Sequence, residues 1–538
     1  MQKDSTQPKK HLKLDSILRT SAIVLFFLVT AKLLNFFKKI LIGQLFGVSS
    51  VADAFFAASY LPYYLALFFE GVLFLGFLPL FSQVMLEKGE KEAREFVTEV
   101  SVAILLLTGL LVILGWQMAP WIIHQLVPGF SASEQELTRT LFQIHTLIVI
   151  FISLTSFFKA LNSYFGHYAL AASSALVDTL VTIAVTLMAW KLFGIYGAAW
   201  AAVAGAFSAL LFQGFFLYRK HAIFAPRFSL KNEWIGKLIL FLIPMGAIWG
   251  FQQIPLILLN RFGSGMWEGT ISALSISQTL TTVPMGLVNH TVLFAVFPAL
   301  AKQAHESSLE NLKETFFKTL RGGFLILVPL GFLLTSLAKP VAALFFSGGG
   351  ISLEGTSRIS NSLACFGWAT FALYADVFMT QSLIAIRKPL PAIFLCGTRA
   401  VLTYVSGYIL STYWDYKGLA FSFSLAMILN FFLLFPIFFR MSPFQGKWKN
   451  LFTHTAKLIL AASPIFLIIT FVNHWSIKVW IDFPVLLKIA VLAAGGLAGL
   501  GVYLVFLSFF KIDEAISVGR EIKKTLAKKV WWLAEQTN

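Results

Sequence analysis

Residues 21–46 read SAIVLFFLVTAKLLNFFKKILIGQLF. A helix needs about 20 mostly apolar residues to cross a bilayer, and this stretch has them, so it reads as a membrane span. It also holds Lys32, Asn35, Lys38 and Lys39. At 100° per residue these four fall within an arc of roughly 120°, giving the helix one basic face and leaving Leu, Ile and Phe on the rest. A charge near the bilayer centre costs about 2.5–3.5 kcal/mol on insertion scales, so each one inside a span marks a candidate functional group. Lys38 and Lys39 could instead extend toward the headgroups. Lys32 sits too near the middle for that.

The rest of the chain repeats the apolar theme. Of its 538 residues 58% are hydrophobic and 12% charged, with 56 Phe and a mean hydropathy of +0.79. A soluble domain carries about 25% charged residues, so this composition cannot clothe a globular body in water. Fourteen candidate spans follow, at 21–46, 53–86, 96–121, 141–165, 169–190, 196–218, 234–259, 269–300, 323–346, 359–386, 392–413, 419–439, 458–472 and 485–510. The second is too long for one straight helix, and Pro62 or the pair Glu70-Gly71 are the places to break it. No polar stretch reaches about 50 residues, the lower end of domain size, so no large extramembrane domain is expected.

The net charge of +17 resolves into orientation. With the N-terminus inside, 29 of the 42 Lys and Arg residues fall on the inner segments and tail. Only Arg139, Lys191, Arg261, Arg358, Lys417 and Lys478 fall outside. Positive charge accumulates on the cytoplasmic side, so both termini are expected there. Nucleic acid is not needed to explain the basic balance. In the tail, Ile512, Ile516, Ile522, Leu526 and Val530 recur at helical spacing opposite Lys523, Lys524 and Lys528, the pattern of a surface-lying amphipathic helix.

An internal repeat organises the spans. The string VLFLGFLPLFSQ at 72–83 is echoed by VLFAVFPALAKQ at 292–303, Leu61-Pro62 by Val283-Pro284, and Gly197-Ala198-Ala199-Trp200 by Gly418-Leu419-Ala420-Phe421. All offsets lie near 220 residues. Six spans per repeat is an even number, so both copies enter the membrane in the same direction, as in two-lobed transporters. The expected fold is all-α: a polytopic membrane protein with fourteen transmembrane helices, two parallel six-helix lobes and two extra C-terminal helices. The divisions are a cytoplasmic tail 1–15, lobes 16–220 and 221–445, two additional helices 446–510 and an amphipathic cytoplasmic tail 511–538.

Further intramembrane charges are Asp53 and Glu70 on the second span, Asp178 on the fifth, Asp376 on the tenth and Arg399 on the eleventh. Asp53 and Glu70 are the nearest acids to neutralise the lysines. Asp178 and Arg399 occupy equivalent repeat positions, which allows a lobe-to-lobe pair, but separate local partners are the preferred reading. Lys159, Lys339 and Lys488 lie near span ends and read as snorkelling. Gln252, Gln253, Gln278, Asn289 and His290 form a second polar surface on the seventh and eighth spans, with His290 read as an interior hydrogen-bonded histidine. The run Gly348-Gly349-Gly350 reads as a turn or hinge. No phosphate-cradling glycine loop, HExxH or Cys/His metal spacing is present, so neither metal nor cofactor is expected. The bottom-up reading is a two-lobed transporter whose cationic face suits a small anion or an anionic lipid.

Several motifs then bring a family into view: Phe46-Gly47, Ala52-Asp53-Ala54-Phe55-Phe56, Leu61-Pro62, Glu70-Gly71, Phe77-Leu78-Pro79, Pro284-Met285-Gly286 and Phe297-Pro298. Over 17–440 the chain resembles the MurJ/MviN family of lipid II flippases, within the superfamily of multidrug and oligosaccharidyl-lipid exporters. The resemblance implies an undecaprenyl-pyrophosphate-linked muropeptide as substrate, moved from the inner to the outer leaflet of the bacterial cytoplasmic membrane, with both termini cytoplasmic. It implies that Lys32 and Lys38 hold the pyrophosphate where arginine is usual, that Asp53 matches the family's acid, and that the last two spans form a groove for the polyprenyl tail. Membrane lipids, and cell-wall synthesis or division proteins, are the partners it suggests. The pattern departs at Ala66, where a basic residue is expected, at Gln278 or Thr279, where an arginine is expected, and at Lys39, where many members carry an acid.

Rival readings stay open at this point. They are a flippase for another polyprenyl-pyrophosphate-linked glycan such as an O-antigen or capsule unit, and a cation-coupled drug exporter, which would want acidic cavity faces. An integral-membrane polyprenyl-dependent glycosyltransferase would need a catalytic carboxylate in a sizeable outer loop. A scaffold for cell-wall enzymes would leave the intramembrane charges without purpose.

Overall fold

The computed structural model describes residues 14–73, 77–221, 233–306, 308–436, 440, 444, 448–467, 471, 475–510 and 512. The first dozen residues, the amphipathic tail beyond Ile512 and the side chain of His290 lie outside them. Among the described residues the regular structure is helical, the sole β-type pairing being an isolated bridge between Gly348 and Ile351. In chain order the helices are α1 (Leu14–Phe46), α2 (Ser50–Val72), α3 (Leu78–Glu87), α4 (Glu90–Leu126), α5 (Ala132–Tyr164), α6 (Tyr168–His221), α7 (Glu233–Gly263), α8 (Thr270–His305) and α9 (Leu309–Ser336). They continue with α10 (Ala338–Phe346), α11 (Leu353–Gly367), α12 (Thr370–Ala385), α13 (Pro389–Leu429), α14 (Trp448–Ala462), α15 (Ile477–Asp482) and α16 (Val485–Phe509). Among the described residues eight helices are long and apolar enough to span a bilayer, or nine if α11 and α12, bent by 57° at their junction, count as one.

Two of these helices are hairpins. At 1.5 Å per residue a straight α6 of 54 residues would run to roughly 80 Å, far beyond a hydrocarbon core of about 30 Å. It breaks at Gly194 (φ 54°, ψ −135°), and α13 breaks at Asp415 (φ 52°, ψ −140°). These positions lie 221 apart, and each separates two of the spans expected from hydropathy. The close approach beside each break recurs at the same offset. A Cβ at Gly197 would stand 2.9 Å from the Ala189 carbonyl oxygen, and one at Gly418 would stand 1.9 Å from that of Leu410. Gly418→Ala is therefore expected to lower stability by about 1–3 kcal/mol, the cost of overpacking. Its melting temperature in detergent should fall, whereas Gly250→Ala, whose Cβ meets nothing within 4 Å, should leave it unchanged.

Pro62 does not break the second span. Helix α2 runs through it to Val72, just past Glu70-Gly71, and α3 begins at Leu78. The single ninth span expected at 323–346 is instead α9 and the short α10, joined at Leu337.

By packing, the chain divides into two compact units, 1–38 with 65–114 and 144–239, and 39–64 with 115–143 and 240–538. These divisions cut across the lobe boundaries drawn from the repeat. In the first unit Phe77 stacks on Phe81 and Phe96 and meets the Phe157 ring edge-on, all four buried. In the second, α8 packs against α9, α11 and α12, around a column of Phe316, Phe378 and Tyr374. The two added helices are seated in the second unit, α14 on α9 and α16 on α10. Outward-facing side chains such as Met188, Leu192, Leu486 and Phe509 are largely exposed, an apolar surface made for lipid.

Candidate substrate site

Helix α1 is continuous through its four polar positions, so all four stand on one helix. Lys32, Asn35, Lys38 and Lys39 are all half-buried. In the first unit, Lys32 lies within electrostatic range of Glu70, and Asp178 within range of Lys38, Glu70 and Lys159. The Lys159 ammonium donates to the Glu70 carboxylate in a part-buried ion pair. Lys159 is thus held in the protein and does not snorkel, because its partner sits 89 residues away on another helix. Three cations and two acids make a cluster with net positive charge, assembled from α1, α2, α5 and α6.

Lys39 belongs to the second unit. Its ammonium donates to Thr279 Oγ1 at 2.7 Å and Ser275 Oγ at 3.4 Å on α8, and lies 5.9 Å from the centre of the Phe56 ring. The positive charge of Lys39 therefore stands beside Thr279, one of the two positions where the resemblance leads one to expect an arginine. Here α1 brings the cation to the place that α8 leaves uncharged. Ala66, the other departure, is fully buried.

Asp53 does different work from a lysine partner. It is buried, its Oδ2 accepting the Gly269 N–H at 2.8 Å and its Oδ1 the Ser272 N–H at 2.6 Å. Both donors belong to the first turn of α8, whose N-terminal N–H groups have no partners within the helix. Glu268 returns the arrangement, accepting the Ser50 N–H at the start of α2 at 2.9 Å, a bond that holds its carboxyl below the usual range. Each helix thus receives its N-terminal carboxylate from the other, a reciprocal cap strengthened by both macrodipoles. Gly269, with φ 86°, permits the approach, since a Cβ there would lie 2.5 Å from Val48. Nearby, the Gly350 N–H donates to the Gln44 carbonyl at 2.7 Å, which makes the triple-glycine run the seat of the end of α1. Asp53→Ala should cost about 1–2 kcal/mol through loss of the cap, with Asp53→Asn costing less, as ordered by melting temperature.

The remaining polar positions are distributed as follows. Tyr60 donates to Gln253, at 3.4 Å to Oε1. Arg399, buried on α13, forms an ion pair with buried Asp376 and donates to the Gln252 carbonyl at 3.1 Å. Asn430 Nδ2 completes the group, donating to Asp376 Oδ1 at 3.1 Å. Arg399 thus finds a local partner on α12, the second of the alternatives open from sequence. Gln278 is half-buried beside Thr279, and Asn289 is buried with its Oδ1 unsatisfied. Lys339 donates to the Trp475 carbonyl at 3.3 Å. Lys488 is buried and donates to the Ala343 and Ile481 carbonyls at 3.2 and 2.9 Å and to Ser347 Oγ at 3.0 Å, tying α16 to the ends of α10 and α15. Lys488 is thus held inside and does not snorkel as expected, because hydropathy places a charge along a helix but cannot see carbonyls supplied by other segments.

The profile of the family described as lipid II flippase MurJ matches residues 42–491. The chain belongs to the MurJ family. A relative in Buchnera aphidicola subsp. Schizaphis graminum, named "Probable lipid II flippase MurJ", is 24% identical over 506 residues, covering 92% of this chain and 97% of that protein. "Lipid II flippase MurJ" of Burkholderia cenocepacia is 22% identical, covering 81% and 87%. Among solved structures, a lipid II flippase MurJ in its inward closed conformation superposes with a TM-score of 0.73 at 21% identity, over 92% of this chain and 98% of that one. An inward-facing multidrug transporter of the MATE family, in the MOP superfamily, gives 0.66 at 14% identity over 78% and 97%. The fold is therefore the one these two transporters share, and a MurJ-family chain with these apolar helices is a multi-pass protein of the bacterial inner membrane.

Proposed function

We propose that this MurJ-family chain moves lipid II from the inner to the outer leaflet by alternating access, with Lys32, Asn35, Lys38 and Lys39 of α1 receiving the pyrophosphate. One observation carries this assignment: a continuous helix, apolar on its other faces, holds three half-buried lysines on one arc. A pyrophosphate takes ammonium hydrogen bonds from several directions, and lysine supplies point charge without the planar fork of arginine. Glu70, already held by Lys159, and Asp178 hold the lysines' charge in check while the site is empty, leaving net positive charge to attract the substrate. In the same reading the chain is a carrier and not a catalyst, crosses the membrane fourteen times in two repeats, and keeps both termini in the cytoplasm. Helices α14 and α16 accompany the polyprenyl tail. Moving a negative charge outward across an inside-negative membrane gains about 2.3 kcal/mol per charge per 100 mV if the whole field is crossed, and the same field favours return of the empty basic face.

Depletion of the protein in its host tests this directly. Lipid II should accumulate in the inner leaflet while wall synthesis fails. Normal wall synthesis without accumulation would reject the proposal.

A further inference from the structure

Asp415 stands where its repeat equivalent is Gly194, and both adopt nearly the same backbone angles. At φ near 50° and ψ near −140° a side chain is strained, and glycine is the residue that fits. The first hairpin uses glycine. The second keeps a carboxylate in spite of the strain, and Asp415 lines a cavity of about 430 Å3 in the second unit. Strain retained at a residue that faces a cavity is a reason to look for a ligand.

The lining states what kind of ligand. Phe262, Met266, Trp267, Ser411, Thr412 and Asp415 surround the space. Ser411 and Thr412 each donate their hydroxyl proton to the Tyr408 carbonyl, at 3.3 and 2.8 Å, so toward the cavity they offer lone pairs. Asp415 can only accept, and among the described residues no hydrogen bond or ion pair occupies its carboxylate. Arg261, the nearest cation in sequence to the α7–α8 turn, is engaged with Gln125. Trp267 is 65% exposed, its indole available as a π surface. A carboxylate and hydroxyl lone pairs beside aromatic rings suit a ligand that brings donors and a positive charge, which is an ammonium group.

We infer that this cavity is a binding site for a primary ammonium group, placed by Asp415 and the aromatic rings of Phe262 and Trp267. The group could be borne by a phosphatidylethanolamine headgroup or by a free amine, and the inference does not depend on what the transporter carries. The test uses the full-length chain purified in detergent. Short-chain phosphatidylethanolamine and phosphatidylglycerol are titrated by native mass spectrometry, and lysine amide by calorimetry. Preferential binding of phosphatidylethanolamine alone identifies a lipid headgroup, and binding of lysine amide identifies a soluble amine. In either case Asp415→Asn should weaken binding at least about 10-fold. Asp415→Gly separates this role from a structural one: it should lose the ligand equally while melting at least about 1 °C higher, since the strain is gone. Absence of binding by both ammonium probes, equal binding of the two lipids with no binding of lysine amide, or unchanged affinity in either variant would overturn the inference.

Discussion

Replacing Lys32 and Lys38 together by alanine should lower lipid II flipping in proteoliposomes at least about 100-fold. Charge-assisted hydrogen bonds contribute about 1.5–3 kcal/mol each, so two lost together exceed the roughly 2.7 kcal/mol that a hundredfold represents. The folded state should survive, because both side chains are half-buried and Glu70 retains its ion pair with Lys159. Melting temperature in detergent checks this, and rate measured on matched amounts of folded protein checks the transport claim. Lys32→Arg with Lys38→Arg should keep most of the activity, since charge is conserved and the guanidinium binds phosphate well. Unchanged flipping in the double alanine variant would remove α1 from the site.

Breaking the Arg399–Asp376 pair has the largest expected effect on stability. Both side chains are 4% exposed or less, so Arg399→Met leaves an uncompensated carboxylate in an apolar interior, a loss of about 3–5 kcal/mol. Removing both charges in Arg399→Met with Asp376→Leu should recover much of it, because a buried pair contributes little beyond its own desolvation. The expected order of melting temperatures is wild type, then the double variant, then Arg399→Met. A single variant that melts with the wild type would show that Asp376 is satisfied by Asn430 alone.

The fold superposes on a lipid II flippase and on a multidrug transporter alike, so the fold by itself names no cargo. The reciprocal cap joins the starts of α2 and α8 within the second unit, the same unit in which Lys39 meets Thr279.

What the sequence determined by itself is what depends on local chemistry: that the chain lives in a bilayer, that it is all helix there, and that residues 21–46 carry lysines on one face. Length and hydropathy suffice for the first two, and helical periodicity for the third. Even the hairpin break at Gly194 was legible as the gap between two spans. Partners were not legible, because they come from distant segments. Glu70 is taken by Lys159, Asp53 by the first turn of α8, and Lys488 by three acceptors around α10 and α15. A hydrogen bond acts over about 3 Å in space and is indifferent to sequence separation. Only the tertiary structure could therefore decide which of the intramembrane charges are spent on holding the helices together.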